Sequence, residues 1–497
     1  MFLPIFAACL VVAIVVWTAF SALVQYWRLR HIPGPPSAGF STWWLVRAVG
    51  GNRAHLDLYQ VCQQYGPVAR VGPRDLVTSD AHLMKRMLNV RTQYKRSDWY
   101  HGMRLKPGED NVLSQRDDYL HNALRAKMAP GYSGKEVEHL ESKIDGNIMS
   151  LVNLIDSKYV SANQPFDFGR KAQFFTLDVI SDLAFGKAFG DLATDSDVHE
   201  YIATMESSMP NIMVTTVLPW LGSLLASPLL RWMMPSDKDA NGLGRAMAIA
   251  KQVAAERFGP DKKTKKDMLG SFVARGLSQS EAESEILMQL LAGSDTTATA
   301  IRATLLFVIS NARVSSKLVE EIKAAKPSWP VITNSEARAM PYLQAIIKEG
   351  LRMFPPVAGM MAKEVPKGGD SFKGIFFPEG TRIGYCAWGI MRDGDLWGPD
   401  ANEFRPERWL EASPEKFREM DSTADLVFGY GRWQCLGRNV AFMELNKVFV
   451  ELIRRFDLSL VDPTTPWRSE NHGVFFQSDF WIRAYRREEK RQHDVTA

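Results

Sequence analysis

One short stretch near the C-terminal end limits the fold and chemistry of this chain more than any other. It runs from Phe428 to Gly437 with the sequence FGYGRWQCLG, in which two glycines allow a tight loop before Cys435. An amphipathic helix is predicted directly after it. The free N–H groups and dipole of a helix N-terminus favour a thiolate. A lone cysteine there suits the axial position of a haem iron, although for an average cysteine a free buried thiol is the commoner state.

The helix predicted after Cys435 has its candidate core residues at helical spacing. They are Val440, Leu445, Val448, Leu452 and Phe456. The other cysteines, Cys9, Cys62 and Cys386, form no C-x-x-C pair, and we expect Cys62 and Cys386 to be packing residues. Four cysteines in 497 residues exclude a disulfide scaffold and fit a reducing compartment.

The charge balance argues against a nucleic-acid-binding protein. Lys plus Arg number 60 and Asp plus Glu number 56, which gives a formal net charge of +4 rather than a strong basic excess. Hydrophobic residues make up 46% of the chain, so it can bury a large core.

A long helix is predicted from Ser278 to about Asn311. Ser278 and Glu281 have the spacing of a capping box, and no proline follows before Asn311. Its middle holds the run AGSDTT, residues 292–297, whose small and polar residues are poor choices for a helix interior. One interpretation is an opened helix with Asp295 and Thr296 facing a groove. The other is a small-residue patch for close helix packing.

Glu349 and Arg352 lie on one helical face at i, i+3. Arg408, in the run FRPERW, is a candidate third member of a Glu–Arg–Arg network. Such a network would hold the Cys435 loop in place.

The first 27 residues carry no charged side chain. About 20 helical residues span the hydrocarbon core of a bilayer, so residues 1–27 are predicted to form a membrane anchor. A cleaved signal peptide is the less favoured alternative, because no positive charge precedes the apolar run. The basic residues after it place the body in the cytoplasm by the positive-inside tendency. Residues 28–44 contain a Pro-rich hinge.

The remainder, residues 45–497, predicts a mainly α fold with small β-sheets. The strand-like runs are Val68–Val71, Gly374–Phe377, Thr381–Cys386 and Phe475–Tyr485. Residues 213–235 are rich in Leu, Met and Trp but are broken by prolines. We expect them to be core, with a surface loop that dips into lipid as the alternative.

The order of these motifs resembles the cytochrome P-450 haem-thiolate monooxygenases over nearly the whole chain. Several stretches are more narrowly similar to fungal microsomal enzymes of the pisatin demethylase type. The resemblance implies the P-450 fold, a haem b cofactor with Cys435 as the iron ligand, and Phe428 at the start of the ligand loop. It also implies Asp295 and Thr296 as the proton-delivery acid and alcohol, and Glu349, Arg352 and Arg408 as the structural triad.

The chain departs from the family pattern where haem propionates are bound. The usual Arg two residues before the cysteine is Trp433, with Arg432 one place earlier. The usual Trp-x-x-x-Arg pair is His121 and Arg125, which share a helix face. Lys363 stands where a further propionate-binding base is common. These five residues are the candidate propionate contacts.

The resemblance implies a monooxygenase that hydroxylates or otherwise oxidises a hydrophobic small molecule with O₂. The chain has no flavin or nicotinamide fingerprint, so its electrons are expected to come from another protein. The resemblance implies that this partner is an NADPH–cytochrome P-450 reductase, with NADPH as the electron source. The expected location is the endoplasmic reticulum membrane, single-pass, with the catalytic domain facing the cytoplasm. Candidate bases for docking the reductase are Arg125, Lys127, Arg432 and Arg438.

The resemblance points to fungal secondary metabolism, with a terpenoid, alkaloid or polyketide as substrate. The pocket is expected to be lined by Tyr100–Leu113, 207–235, Met288–Asp295, Val357–Met361 and Val474–Phe476. Two alternatives stay open. A haem-thiolate isomerase or dehydratase needs neither the acid–alcohol pair nor a reductase, and a non-catalytic haem- or hydrophobe-binding protein needs no chemistry at all.

Overall fold

Helices make up most of the computed structural model, which describes residues 12, 16, 17, 20–259, 262 and 265–487. Residues 20–29 are helical, and after them come α1 (Trp43–Gly50), α2 (Ala54–Tyr65), α3 (Ala81–Leu88), α4 (Asp118–Tyr132), α5 (Leu140–Leu154), α6 (Phe168–Phe185), α7 (Asp191–Thr194), α8 (Tyr201–Val217), α9 (Pro219–Leu225), α10 (Gly242–Ala255), α11 (Met268–Ala274), α12 (Gln279–Ile309), α13 (Ala312–Ala325), α14 (Asn334–Arg338), α15 (Pro341–Met353), α16 (Ala387–Ile390), α17 (Gly394–Trp397), α18 (Arg408–Glu411), α19 (Pro414–Ala424) and α20 (Arg438–Arg455).

Twelve strands form small sheets in the described part of the chain. They are β1 (Val68–Arg70), β2 (Asp75–Thr78), β3 (Lys95–Arg96), β4 (Phe166–Asp167), β5 (Lys363–Glu364), β6 (Asp370–Phe372), β7 (Ile375–Phe377), β8 (Arg382–Tyr385), β9 (Phe456–Leu460), β10 (Arg468–His472), β11 (Val474–Ser478) and β12 (Trp481–Arg486). The largest sheet has the order β1-β2-β8-β5-β3, in which only the β2–β8 pair is parallel. The run predicted over Phe475–Tyr485 is divided between β11 and β12, which belong to different sheets.

The long predicted helix is α12, and it is central to the fold. Its capping box is present: the Ser278 hydroxyl accepts the Glu281 N–H at 3.3 Å, and the Glu281 carboxylate accepts the Ser278 N–H at 2.8 Å. The helix packs against α6, α10, α15 and α20. Because neighbours surround it, most of its residues are buried on every side, as expected for a helix without one solvated face.

The N-terminal part of the described chain lies against the largest sheet. Leu29 and Ile32 are buried in a cluster with residues of β1, β2, β7 and β8. The guanidinium of Arg70 donates to the carbonyl oxygens of Gln25 at 3.1 Å, Tyr26 at 3.3 Å and Gly39 at 3.0 Å. These bonds hold the Pro-rich segment against the body.

The predicted anchor, residues 1–27, falls largely outside the described residues, and so does Cys9. Among the helices that are described, none is both long enough and apolar enough to cross a membrane. The anchor stays a prediction.

Residues 213–235 divide at the end of α8. Met213 and Val217 are buried, but α9 has no buried residue. Trp220 is 62% exposed, Leu229 78% and Trp232 79%. The core interpretation is therefore wrong beyond Val217, because the prolines break this segment into short pieces that lie on the surface.

Candidate functional site

A cavity of about 310 Å³ lies between the Cys435 loop and α12. Its wall includes parts of every segment predicted to line the pocket. Lining residues from these segments include Met103, Val112, Leu113, Met209, Met213, Met288, Val357, Met361 and Val474. The cavity is not lined by Asp295, by Phe476 or by the exposed part of 218–235. The wall is mostly apolar, as binding sites for hydrophobic small molecules are.

The Cys435 loop has the conformation that its glycines permit. Gly429 and Gly431 have φ of 75° and 60°, a region that other residues rarely adopt. A Cβ on Gly429 would lie 2.8 Å from the Trp433 carbonyl oxygen. The Cys435 N–H donates to the Phe428 carbonyl at 2.7 Å, which closes the loop. The side chain of Cys435 is thereby held on the cavity wall.

Helix α20 begins at Arg438, so Cys435 lies just before a helix N-terminus as predicted. Cys435 is exposed and lines the cavity, and protein packs closely around it. Burial raises the pKa of the Cys435 thiol, while the backbone N–H groups of Gly437 and Arg438 and the charge of Arg125 lower it. These N–H groups and Arg125 therefore stabilise a thiolate at Cys435. A cation bound to the sulfur would offset the cost of burying its charge. All five residues predicted to be core are buried, four of them in α20 and Phe456 directly after it.

Helix α12 forms the opposite wall with Ala292, Gly293 and Thr296. The Thr296 hydroxyl donates to the Ala292 carbonyl at 2.7 Å, one turn earlier, and its oxygen stays accessible from the cavity. A Cβ on Gly293 would lie 2.6 Å from Cγ1 of Ile180 on α6. The run AGSDTT therefore places a hydroxyl in the cavity and also lets α12 and α6 pack closely, while α12 remains helical throughout.

Asp295 is fully buried and points away from the cavity. Its Oδ1 accepts from Gln173 Nε2 at 2.5 Å, and Arg302 donates to Gln173 Oε1 at 2.8 Å. Burial raises the pKa of Asp295 to about 7, against the opposing effect of the Arg302 charge. The structure therefore brings Asp295 and Thr296 onto neighbouring positions of α12 but not onto the same side of it.

A cationic edge of the cavity is built around Trp433. Its ring lies 4.5 Å from that of His121, 4.4 Å from the Arg96 guanidinium carbon and 3.4 Å from Lys363 Nζ. Trp433, His121, Arg125 and Arg96 line the cavity, whereas Lys363 lies behind the Trp433 ring. Burial, then Arg96, lowers the pKa of His121 to about 3, so its imidazole is neutral at pH 7.

This edge contains donors with no hydrogen-bond partner among the described residues: Arg96 Nε, Lys363 Nζ and Trp433 Nε1. Arg96 and Lys363 are also directly opposite each other on β3 and β5. Two basic groups so placed destabilise a sheet when both are charged, and burial, then the charge of Arg96, lowers the pKa of Lys363 well below its usual value. Buried unpaired donors cost about 1–3 kcal/mol each. An anion bound on the cavity side would pair with the donors of Arg96 and Trp433 and would offset the charge of Arg96, whereas Lys363 Nζ stays behind the ring. The donor set therefore fits the propionates of a haem whose iron faces Cys435.

Arg432 does not line the cavity. Its guanidinium pairs with Asp118 at 3.1 Å and donates to the Val90 carbonyl. Two further candidate docking bases are also paired, Lys127 with Glu281 at 3.0 Å and Arg438 with Asp425 at 2.6 Å. Three of the four candidate bases are thus partly neutralised by acids of this chain.

The predicted Glu–Arg–Arg network is present and buried. Arg352 Nη2 and Arg408 Nε donate to Glu349 Oε1 at 2.7 and 2.9 Å. Trp409 Nε1 adds a bond to Glu349 Oε2 at 3.0 Å. Arg352 also donates to the Met391 and Ala401 carbonyls, so the network ties α15 to the irregular chain before α18.

Sequence reasoning missed Arg96. Its strand has two residues, and no periodic pattern singles out one arginine among many. It is found only because β3 pairs with β5, which brings it opposite Lys363. Burial lowers the pKa of Arg96 to about 10, which still leaves the guanidinium charged at neutral pH.

Comparison with known proteins agrees with this geometry. The cytochrome P450 family model matches residues 33–479. Cytochrome P450 monooxygenase ABA1 of Pyricularia oryzae is 44% identical over 487 residues, covering 95% of this chain and 95% of that protein. Cytochrome P450 monooxygenase aba1 of Botryotinia fuckeliana is 39% identical over 466 residues, covering 92% of this chain and 91% of that protein.

A solved structure has a similar fold. The cytochrome P450DA heme domain matches with a TM-score of 0.74 and 18% sequence identity, covering 92% of this chain and 98% of that one. At this identity the likeness supports the fold alone.

Proposed function

The chain belongs to the cytochrome P450 family and is a haem b-dependent monooxygenase, and we propose that it oxidises a hydrophobic small molecule of fungal secondary metabolism. The proposed electron donor is an NADPH–cytochrome P450 reductase. The observation that carries the proposal is the apolar cavity bounded by Cys435, Thr296 and the unpaired donors around Trp433.

Haem b supplies oxygen activation when it is bound. In the proposed arrangement the Cys435 sulfur ligates the iron, and Phe428 supports the loop through its carbonyl bond to the Cys435 N–H. Arg96, Trp433 and Arg125 hold the propionates, with His121 and Lys363 packed against the Trp433 ring. Arg432 has no propionate in reach in this arrangement, since it pairs with Asp118 outside the cavity.

The chain's own proton-handling groups are Thr296 and Asp295. Thr296 Oγ1 reaches the cavity. It can donate a proton there when its hydrogen bond to the Ala292 carbonyl is broken. Asp295 holds a proton near neutral pH on the other side of α12, bonded to Gln173. Relay from Asp295 to Thr296 therefore requires the carboxyl to leave Gln173, and we propose this side-chain rotation as part of turnover.

The proposed location is the endoplasmic reticulum membrane, with residues 1–27 as a single-pass anchor and the body in the cytoplasm. The uncharged N-terminal run supports this proposal. The full chain should resist extraction from microsomes at alkaline pH, whereas a chain without residues 2–27 should be released. Equal release of both chains would contradict the anchor.

The test of function is turnover by the anchored protein with reductase, NADPH and a fungal metabolite extract, followed by identification of the product. Product that carries one atom of ¹⁸O from ¹⁸O₂ and requires NADPH supports the monooxygenase. Turnover without NADPH would indicate an isomerase or dehydratase instead.

Cys435→Ser tests the ligand assignment directly. The reduced, CO-bound wild type should show the strongly red-shifted absorption band of thiolate ligation, and the variant should lose it. Cys386→Ser is the matched control, since Cys386 is buried outside the cavity. An unshifted band in the wild type would contradict ligation by Cys435.

A further inference from the structure

The cavity wall carries a second polar site, formed by Glu285 and Gln289 on α12. Both residues line the cavity, and only 1% and 2% of them is exposed. Four residues apart on one helix, they lie on the same face. Glu285 Oε2 and Gln289 Oε1 have no hydrogen-bond partner among the described residues.

Each side chain contacts the protein at one end and has an unpaired oxygen at the other, and Tyr132, which also lines the cavity, lies beside both. Glu285 Oε1 accepts the Val112 N–H at 2.6 Å, and Gln289 Nε2 lies 3.7 Å from the Met268 sulfur. Leaving a buried polar atom unpaired costs about 1–3 kcal/mol. Two such atoms one turn apart, on the wall of a cavity that takes small molecules, indicate a ligand that pairs with both.

The protonation of the site narrows the chemistry of that ligand. Burial raises the pKa of Glu285 to about 8, and the charge of Glu281 raises it further, while the Val112 N–H and Arg96 lower it. At neutral pH the carboxyl is therefore mainly protonated and donates from its open oxygen. Gln289 Oε1 can only accept. A group that both accepts and donates, such as an alcohol, satisfies the two together.

We propose that Glu285 and Gln289 bind a hydroxyl group of the substrate, so that the enzyme selects a hydrophobic alcohol over the corresponding hydrocarbon or carboxylate. A carboxylate is disfavoured because its charge would be buried beside an acid. The proposal rests on the proposed function, since it names the substrate class of the same cavity.

The site also bears on which carbon is oxidised. Gln289 and Thr296 are seven residues apart, which corresponds to about 10 Å along the helix axis. A substrate whose hydroxyl is bound at Gln289 would have a different part of its carbon skeleton near Thr296. The carbon that is oxidised should therefore be remote from the hydroxyl.

The test is the binding of three matched probes to the haem-loaded enzyme, measured by calorimetry: cyclododecanol, methylcyclododecane and cyclododecanecarboxylate. The alcohol should bind about tenfold more tightly than the methyl compound, the effect of one net hydrogen bond, and the carboxylate should bind more weakly than either. Glu285→Leu and Gln289→Leu should each reduce the alcohol preference to less than about threefold.

Glu285→Gln keeps an acceptor for Val112 and a donor towards the cavity, so it should retain most of the preference. Ser284→Ala is the matched control, because Ser284 is equally buried but does not line the cavity, and it should leave the preference unchanged. Equal binding of alcohol and methyl compound by the wild type, or a preference that survives both leucine variants, would overturn the proposal.

The CO-bound absorption band of every variant separates this result from the proposed function. If the wild type shows the red-shifted band but binds the alcohol and the methyl compound equally, the hydroxyl site is contradicted and the proposed monooxygenase function is not. An absent band in the wild type contradicts the haem-thiolate assignment whatever the probes do.

Discussion

Trp433 occupies the place where the family usually has an arginine, and its neighbours show how the change is accommodated. The indole replaces one charged donor with a neutral N–H, and Lys363 and Arg96 lie over its faces as cation–π partners. Basic side chains are thus retained at this edge, but they lie behind and beside the ring.

Trp433→Phe keeps the ring and removes its N–H. We expect haem to dissociate several-fold faster, because one propionate donor is lost while both cation–π contacts remain. Transfer of haem to apomyoglobin measures the rate. Trp232→Phe, at an exposed tryptophan outside the cavity, should leave it unchanged. An unchanged rate in Trp433→Phe would exclude the indole N–H as a haem contact.

Asp295 makes stability depend on pH, and the sign follows from its raised pKa. The unfolded carboxyl has a pKa of 3.8 and the folded one about 7, so the folded state binds more protons between these values. Stability due to this group is full below about pH 4 and falls as the pH rises towards 7. Asp295→Asn should reduce the loss of stability between about pH 4 and pH 7, measured by urea unfolding of the holoenzyme. An identical pH dependence in both proteins would contradict the shift.

At the scale of elements, the features that depend on a few neighbouring residues could be predicted from the sequence. The capping box at Ser278, the loop glycines at Gly429 and Gly431 and the apolar spacing of α20 each act within a few residues. Features that depend on contacts between residues far apart in the chain could not be predicted from it. Arg96 joins the cavity only through the β3–β5 pair, and Asp295 turns from Thr296 because Gln173 on α6 bonds it.

The packing of α12 on α6 gives a prediction at Gly293. Gly293→Ala should destabilise the protein by about 1–3 kcal/mol, because its Cβ would meet Ile180 at 2.6 Å. In an Ile180→Ala background the 2.6 Å contact with Cγ1 is removed and only the 3.0 Å contact with the Cβ of residue 180 remains, so the same change should cost clearly less, and the helix preference of alanine over glycine offsets part of that cost. Urea unfolding of the four proteins gives the coupling energy. Equal effects in both backgrounds would show that the two helices do not constrain this site.

At the scale of the whole molecule, the surface segment after α8 bears on membrane contact. Trp220 and Trp232 are exposed, and aromatic side chains of this kind favour the interface of a bilayer. In chains without residues 2–27, the double variant Trp220→Ser and Trp232→Ser should bind phospholipid vesicles several-fold more weakly in a flotation assay. Trp329→Ser, at another exposed tryptophan that packs on Arg454 and Arg455, is the control. Equal binding by all three chains would exclude this segment as a lipid contact.

The facing pair of Arg96 and Lys363 bears on how readily the protein is degraded in the cell. Until an anion lies between or beside them, the β3–β5 pair carries uncompensated charge at the edge of the largest sheet. We therefore expect this edge to open more often in a chain without haem and to be cleaved sooner by a protease than in the haem-loaded chain. Haem-loaded chains are then expected to accumulate in the cell at the expense of empty ones.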